Sequence, residues 1–413
     1  MKTLSGLSTQ VKQYLIITGN YWAFTLTDGA LRMLVVLYFH QLGYSPLSIA
    51  LLFIFYEVFG VVTNLIGGWL GARLGLNKTM NIGLALQVVA LAMLLVPSDL
   101  LTVFYVMAAQ ALSGVAKDLN KMSAKSAIKL LVPTGESHKL YHWVALLTGS
   151  KNTLKGIGFF LGGLLLTWLG FAGAIAVMVI MLIMVWLFSM IKLQADLGKA
   201  KNKPKFNHIF SKSRAINLLS AARLFLFAAR DIWFVIALPV FLAAEFSWSH
   251  SWVSGFIAAW IVLYGLMQTL APKLTRKPSG QAPSSKDAAK WGAILVLVPL
   301  AMALLLYYGV AAQWVIIIGL IAFALLFAIN SSLHSFLIVD MADKDGVSLD
   351  VGFYYMANAC GRLLGTVLSG WIFQVYGLVV CLFISAIFIT FAVFFAALIN
   401  PLKKHAPEQT QYQ

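Results

Sequence analysis

Charged side chains buried in apolar sequence are where this chain could do chemistry. In Asn20–Phe39, NYWAFTLTDGALRMLVVLYF, Asp28 and Arg32 lie four residues apart and share one helix face. At bilayer depth such charges are costly unless they meet a partner or a water-filled cavity, so they mark a functional site. An Asp28–Arg32 pair that only locks helices together is the plainer alternative. Lys151, Asn152 and Lys155 fall about 15–21 Å into another apolar run at 1.5 Å per residue, deeper than a snorkelling lysine reaches. No acid lies near them in sequence, so they bind an anion or pair with a carboxylate on a different helix. Arg223 and Arg230 sit two turns apart with Asp231 adjacent, and Arg362 is one turn from Asn358. A guanidinium fork matches the oxygens of phosphate, arsenate or carboxylate.

These groups sum to an unbalanced charge. Seven basic residues (Arg32, Lys117, Lys151, Lys155, Arg223, Arg230, Arg362) stand against four acidic ones (Asp28, Glu57, Asp118, Asp231) at membrane depth. If all face one cavity, three positive charges remain for an anion to neutralise. The expected substrate-binding set is therefore Arg32, Lys117, Lys151, Asn152, Lys155, Arg223, Arg230, Asn358 and Arg362. Asp28, Asp231 and Glu57, with Asp118, are equal candidates for proton coupling or structural pairing, because a carboxylate in low dielectric is pushed towards neutrality while neighbouring cations pull the other way. His334 and Asn330 read as helix-packing groups rather than ligands. Lys117, Lys121, Lys125 and Lys129 form one stripe; Lys117 reaches the cavity, whereas the outer pair reads as a solvated or headgroup-facing end. The acidic loop residues Asp340, Asp343 and Asp345 are expected to pair with that stripe.

The elements that must hold these groups are membrane helices. The 413 residues are 61% hydrophobic and 11% charged, with a mean hydropathy of +0.86, which excludes soluble domains. Apolar runs of about 20 residues, enough to cross roughly 30 Å of hydrocarbon, predict twelve segments: 13–40, 45–71, 79–97, 100–122, 141–168, 171–192, 216–243, 252–272, 290–308, 313–337, 348–375 and 377–400. The opening residues lack a signal-peptide pattern, so the first helix is expected to be retained. Lys and Arg crowd alternate connections, placing both termini in the cytoplasm. That pattern accounts for the net charge of +16 without nucleic acid. Residues 1–192 read as an N-terminal six-helix bundle, 193–215 as a basic linker along an anionic leaflet, and 216–413 as a C-terminal bundle with a short cytoplasmic tail.

The two halves look related. Phe24 and Asp28 recur as Phe227 and Asp231, Gly60 as Gly265, and Asn152 as Asn358, at spacings of 203 to 206 residues. Two bundles related by an axis along the membrane normal, with a site that alternates between sides, are the expected architecture. No G-x-x-x-x-G-K-[ST] loop is present, so ATP is not the energy source. Without H-E-x-x-H, G-x-S-x-G or a Cys/His cluster, the sequence predicts neither an enzyme nor a cofactor or metal; Cys360 and Cys381 lie in apolar segments.

Gly68-Trp-Leu-Gly-Ala72-Arg73-Leu-Gly75-Leu-Asn-Lys78 resembles the loop signature of the major facilitator superfamily, with Ala72 at its acidic position and Leu76 where a basic residue is usual. Gly158-Phe-Phe-Leu-Gly162-Gly163 is similar to the Gly-Pro-x-x-Gly-Gly element of its antiporters, with Phe159 replacing Pro. Across Gly19–Leu37, Ser113–Pro133, Leu147–Gly163 and Lys212–Val235 the chain resembles the organoarsenical efflux permeases of bacterial arsenic-resistance operons. That resemblance implies an inner-membrane protein exporting 1-arseno-3-phosphoglycerate, the product formed when glyceraldehyde-3-phosphate dehydrogenase uses arsenate in place of phosphate. It would link the permease functionally to that dehydrogenase. An exporter or exchanger of another organophosphate or carboxylate anion is the alternative.

Overall fold

The computed structural model describes residues 8–43, 52, 54–194, 197–201, 205, 212–248, 250–277 and 281–399, without the side chains of His40, Ile54, Glu57, His250, Ser251 and Ser254. The described residues are all-helical. Helices α1 (Thr9–Gln41), α2 (Ile54–Leu74), α3 (Leu76–Met93) and α4 (Val103–Leu131) open the chain. Ser137–Lys192 is a 56-residue run broken at Gly170 into α5 (137–169) and α6 (171–192). After the linker, α7 runs Arg214–Phe234 and resumes as Ala237–Glu245, followed by α8 (His250–Leu274), α9 (Ser285–Tyr307) and α10 (Ala312–Met341). Val347–Ala397 is broken at Gly377 into α11 (347–376) and α12 (378–397). Among the described residues eight runs are long and apolar enough to cross a membrane, the two broken ones long enough to do so twice. The breaks fall where the sequence places turns. Gly170 (φ 68°) and Gly377 (φ 78°) adopt the left-handed conformation that side chains disfavour, letting the chain double back without a loop.

Two expected boundaries move. Helix α4 continues nine residues past 122 because nothing breaks it before Pro133, and Met122, Ala124, Ala127 and Ile128 are buried in the core. The seventh segment is interrupted at Val235–Ile236, where the Ala237 N–H is capped by the Ser369 hydroxyl at 3.2 Å. The second segment is described from Ile54, so its start at 45 lies outside the described residues.

Glycine sets how closely the helices approach. A Cβ on Gly158 of α5 would sit 2.7 Å from the Leu26 carbonyl of α1, and one on Gly162 would strike the Ala30 carbonyl. In the other half, Gly361 and Gly365 of α11 meet the Leu224 and Ala228 carbonyls of α7 in the same way. The glycines recur after 203 residues and the carbonyls after 198. This corrects part of the expected repeat register. Arg32 is equivalent to Arg230 and Lys155 to Asn358, whereas Asp28 does not match Asp231, nor Asn152 Asn358.

The halves meet along two further glycine contacts. Gly68 of α2 lies against Ser348 and Gly352 of α11, and Gly149 of α5 against Gly265 and Thr269 of α8. In this register Gly265 answers to Gly68, not Gly60. Both contacts lie towards the face carrying the Lys- and Arg-rich connections, called here the basic face. Exposed Trp168, Trp252, Trp314, Tyr307, Tyr308 and Tyr376 mark the opposite face, as amphipathic rings do at a membrane interface.

The described part of the linker packs its main chain on protein. Leu76 N–H donates to the Leu197 carbonyl (2.7 Å), Ala200 N–H to the Ala72 carbonyl (2.8 Å), and Asn77 to the Gln194 carbonyl (2.7 Å). The two positions that lack the expected charges, Ala72 and Leu76, thus serve as main-chain docking points for the linker. At its end Lys212 pairs with Asp350 at 3.3 Å, and burial pulls the Lys212 ammonium below its ordinary pKa.

Candidate functional site

Two charged groups face each other across the space between α1, α4 and α5 on one side and α7 and α11 on the other. On the N-terminal side the centre is Tyr56, 2% exposed. Its hydroxyl donates to both Asp28 carboxylate oxygens, at 2.8 and 3.0 Å. The Lys117 ammonium stands 3.6 Å, and the Arg32 guanidinium carbon 4.6 Å, from the centre of its ring. Cations bind that π-face, more strongly out of water. Lys155 interacts electrostatically with Arg32, Lys151, Asp28 and, from the other half, Arg362. Lys151 senses Lys121, Lys125, Lys117 and Asp28. Both lysines keep partial exposure although they are held mid-helix. Among the described residues no carboxylate lies within ion-pair distance of Lys117, Lys151 or Lys155.

On the C-terminal side one carboxylate serves two arginines. Asp231, fully buried, accepts from Arg230 Nε at 2.5 Å and from Arg362 Nε at 3.3 Å. Arg230 also rests over Phe227 (4.7 Å) and Phe327 (5.6 Å). Each guanidinium thus spends its Nε on Asp231.

Other expected site residues are committed elsewhere. Arg223 is 3% exposed; its Nε donates to Asn358 Oδ1 at 2.8 Å, and Nη1 to the Ser331 hydroxyl and carbonyl at 3.1 and 3.2 Å. The same Ser331 hydroxyl meets Tyr264 (3.1 Å) and Gln268 (3.2 Å), and Gln268 Oε1 accepts from Asn152 at 2.5 Å. Arg223, Asn152 and Asn358 therefore form a buried network joining α5 to α8, α7, α10 and α11. This corrects the expectation that Arg223 presents an open fork. Sequence reasoning missed Tyr56, Tyr264, Gln268 and Ser331. Gln268, a polar side chain inside an apolar segment, carried the same signal as Asn152.

The lysine stripe also departs from expectation. Lys125 is 3% exposed and buried rather than headgroup-facing, donating to Thr148 at 3.0 Å and to the Tyr355 hydroxyl. Lys121 takes up Asp118 at 2.6 Å, and Thr63 also donates to Asp118 (3.2 Å). Lys129 reaches the acidic loop through the Asp340 main-chain carbonyl at 2.5 Å, not through a carboxylate, while Ser137 donates to Asp340 Oδ1 at 3.3 Å. With Tyr141–Thr275 (3.1 Å) and Lys344–Thr134 (2.5 Å), these contacts join the halves at the basic face. Asn330 donates to the Ala288 carbonyl at 2.8 Å as a packing group, and His334 is buried. The Glu57 side chain lies outside the described residues.

A family model described as Major Facilitator Superfamily matches the sequence over residues 17–285. The chain belongs to the major facilitator superfamily. It is a multi-pass transporter of small substrates, not an enzyme. Solved structures with the same fold include the E. coli fucose:proton symporter (14% identity, TM-score 0.73, covering 95% of this chain and all of that one). The human organic anion transporter MFSD10 is similar at 16% identity and TM-score 0.72, over 94% of this transporter and all of that chain. A bacterial homologue of the iron transporter ferroportin, in an outward-facing state, aligns at 14% identity and TM-score 0.71, over 95% and 99%. No curated protein matches the sequence. At these identities the likeness is one of fold.

Proposed function

We propose that this transporter exports an organic arsenate or phosphate anion, 1-arseno-3-phosphoglycerate, by alternating access across a bacterial inner membrane. The observation that carries this reading is that Lys117, Lys151 and Lys155 have no carboxylate at ion-pair distance among the described residues. Cations held out of bulk water without counter-charge favour an anionic ligand that supplies it. In this reading Arg32, Lys117, Lys151 and Lys155 hold one anionic end of the substrate, and Arg230 and Arg362, steadied by Asp231, receive the other. Arg223, Asn152 and Asn358 hold the helices that carry them.

The basic face is cytoplasmic in this assignment, with both termini on that side, and the joined basic face makes this conformation outward-facing. Each unit charge is worth about 2.3 kcal/mol per 100 mV, so a trianion leaving an inside-negative cell gains roughly 7 kcal/mol. Efflux can thus be potential-driven, or coupled to protons through Asp28, Asp231 or Glu57. A flux assay with the potential collapsed and a pH gradient retained separates the two.

Arsenate tolerance in cells expressing the permease and an arsenate-using glyceraldehyde-3-phosphate dehydrogenase, singly and together, tests the substrate. Tolerance is expected only with both. Tolerance from the permease alone contradicts the named substrate. No tolerance in any combination, with efflux of another organophosphate or carboxylate, makes this an exporter or exchanger of that anion.

A further inference from the structure

Away from the charged groups of the candidate site, α1 and α6 leave a groove of about 740 Å³ on the outer wall of the N-terminal half. Its apolar lining includes Leu15, Met184 and Phe188, which are 44%, 59% and 52% exposed. The helices are pinned to each other by two hydrogen bonds, Gln13 to the Lys192 carbonyl at 2.9 Å and Asn20 to Ser189 at 2.8 Å. They do not close over the gap at Gly19, where an added Cβ would meet nothing within 4 Å. Lys12 and Lys192, from the two ends of the half, both line the groove where it reaches the basic face. From each lysine the lining extends eight residues along its helix, to Asn20 and to Met184. At 1.5 Å per residue that is about 12 Å, most of the roughly 15 Å hydrocarbon depth of one leaflet.

We infer that this groove is a binding site for one anionic phospholipid, with the phosphate between Lys12 and Lys192 and an acyl chain along Leu15, Gly19, Met184 and Phe188. The apolar trough alone would take any chain; the two lysines at the level of the headgroups select the charge. The site is independent of the transported substrate.

Native mass spectrometry of the full-length protein in detergent, titrated with phosphatidylglycerol and with phosphatidylcholine of the same acyl chains, tests it. A gain of about fivefold per lysine near a membrane surface predicts a roughly 30-fold preference for phosphatidylglycerol. Lys12→Gln with Lys192→Gln should bring phosphatidylglycerol to the phosphatidylcholine level, while Lys139→Gln elsewhere on the same face leaves the preference intact. Gly19→Leu, which fills open space, should weaken both lipids. Equal binding of the two lipids to the wild type, or a preference that survives the double substitution, overturns the proposal. So does competition by soluble glycerol phosphate as strong as by the lipid, which would mark a phosphate site without a chain.

Discussion

Arg32 on α1 and Arg230 on α7 occupy equivalent places in the two halves, yet their surroundings differ in kind. Arg230 shares the buried carboxylate of Asp231 with Arg362, so two positive charges are held by one negative. Arg32 stands with Lys117 over the face of Tyr56, whose hydroxyl is turned to Asp28, and Lys155 and Lys151 follow on α5 without an ion-paired acid among the described residues. One side is a rigid arginine clamp with its charge partly settled. The other is lysine-rich, with flexible stems, and Lys117, Lys151 and Lys155 have no ion-paired acid among the described residues. Under the proposed function this difference divides the labour: the arginine side would orient the anion through planar geometry, and the lysine side would supply most of the net attraction.

The comparison can be broken at its strongest point first. Lys155→Gln combined with Arg32→Gln removes two cations and should lower anion flux in proteoliposomes by more than about 30-fold, the low end of the cost of removing even one member of a desolvated charge contact. Arg362→Gln alone should cost less, because Arg230 remains on Asp231; equal losses would erase the asymmetry. Asp231→Asn strands two guanidiniums and should destabilise the protein by about 3 kcal/mol, the low end for a buried pair because Arg362 keeps 35% of its side chain exposed. A melting curve in detergent reads that loss, and Asp28→Asn should shift it less. Gly361→Ala and Gly158→Ala test the shared scaffold, since each added methyl meets a carbonyl of the neighbouring helix. Both should lower stability by about 1–3 kcal/mol, and a loss in only one half would show that the repeats are not held alike. Tyr56→Phe keeps the ring for Arg32 and Lys117 but removes the bond to Asp28. It should shift apparent affinity by only about three- to tenfold, a single hydrogen bond's worth.

Much of the fold was legible because membrane helices announce themselves one at a time. Leu-, Val- and Phe-rich runs must form helices in hydrocarbon whatever their neighbours, since every backbone group has to be satisfied within the segment. The turns at Gly170 and Gly377 and the basic connections are likewise local properties. The site was half legible. Asp28, Arg32, Lys155 and Arg362 stood out because charge in apolar sequence is conspicuous. The roles of Arg223, Lys125 and Asn152 did not follow, because Ser331, Tyr355 and Gln268, which hold them, lie more than a hundred residues away in sequence. The repeat was recognised, but its register was misjudged by five residues in α1 and α7, since helix-to-helix offset depends on which glycine lets which carbonyl approach.

The sequence by itself determined that this chain is a bundle of membrane helices with more cations than acids inside, because hydrophobicity and charge belong to individual residues. Only the tertiary structure decided which cations meet an acid. Whether Asp231 serves Arg230 and Arg362, or Asp28 turns to Tyr56, depends on distances between helices, and the Coulomb energy that follows is a property of pairs.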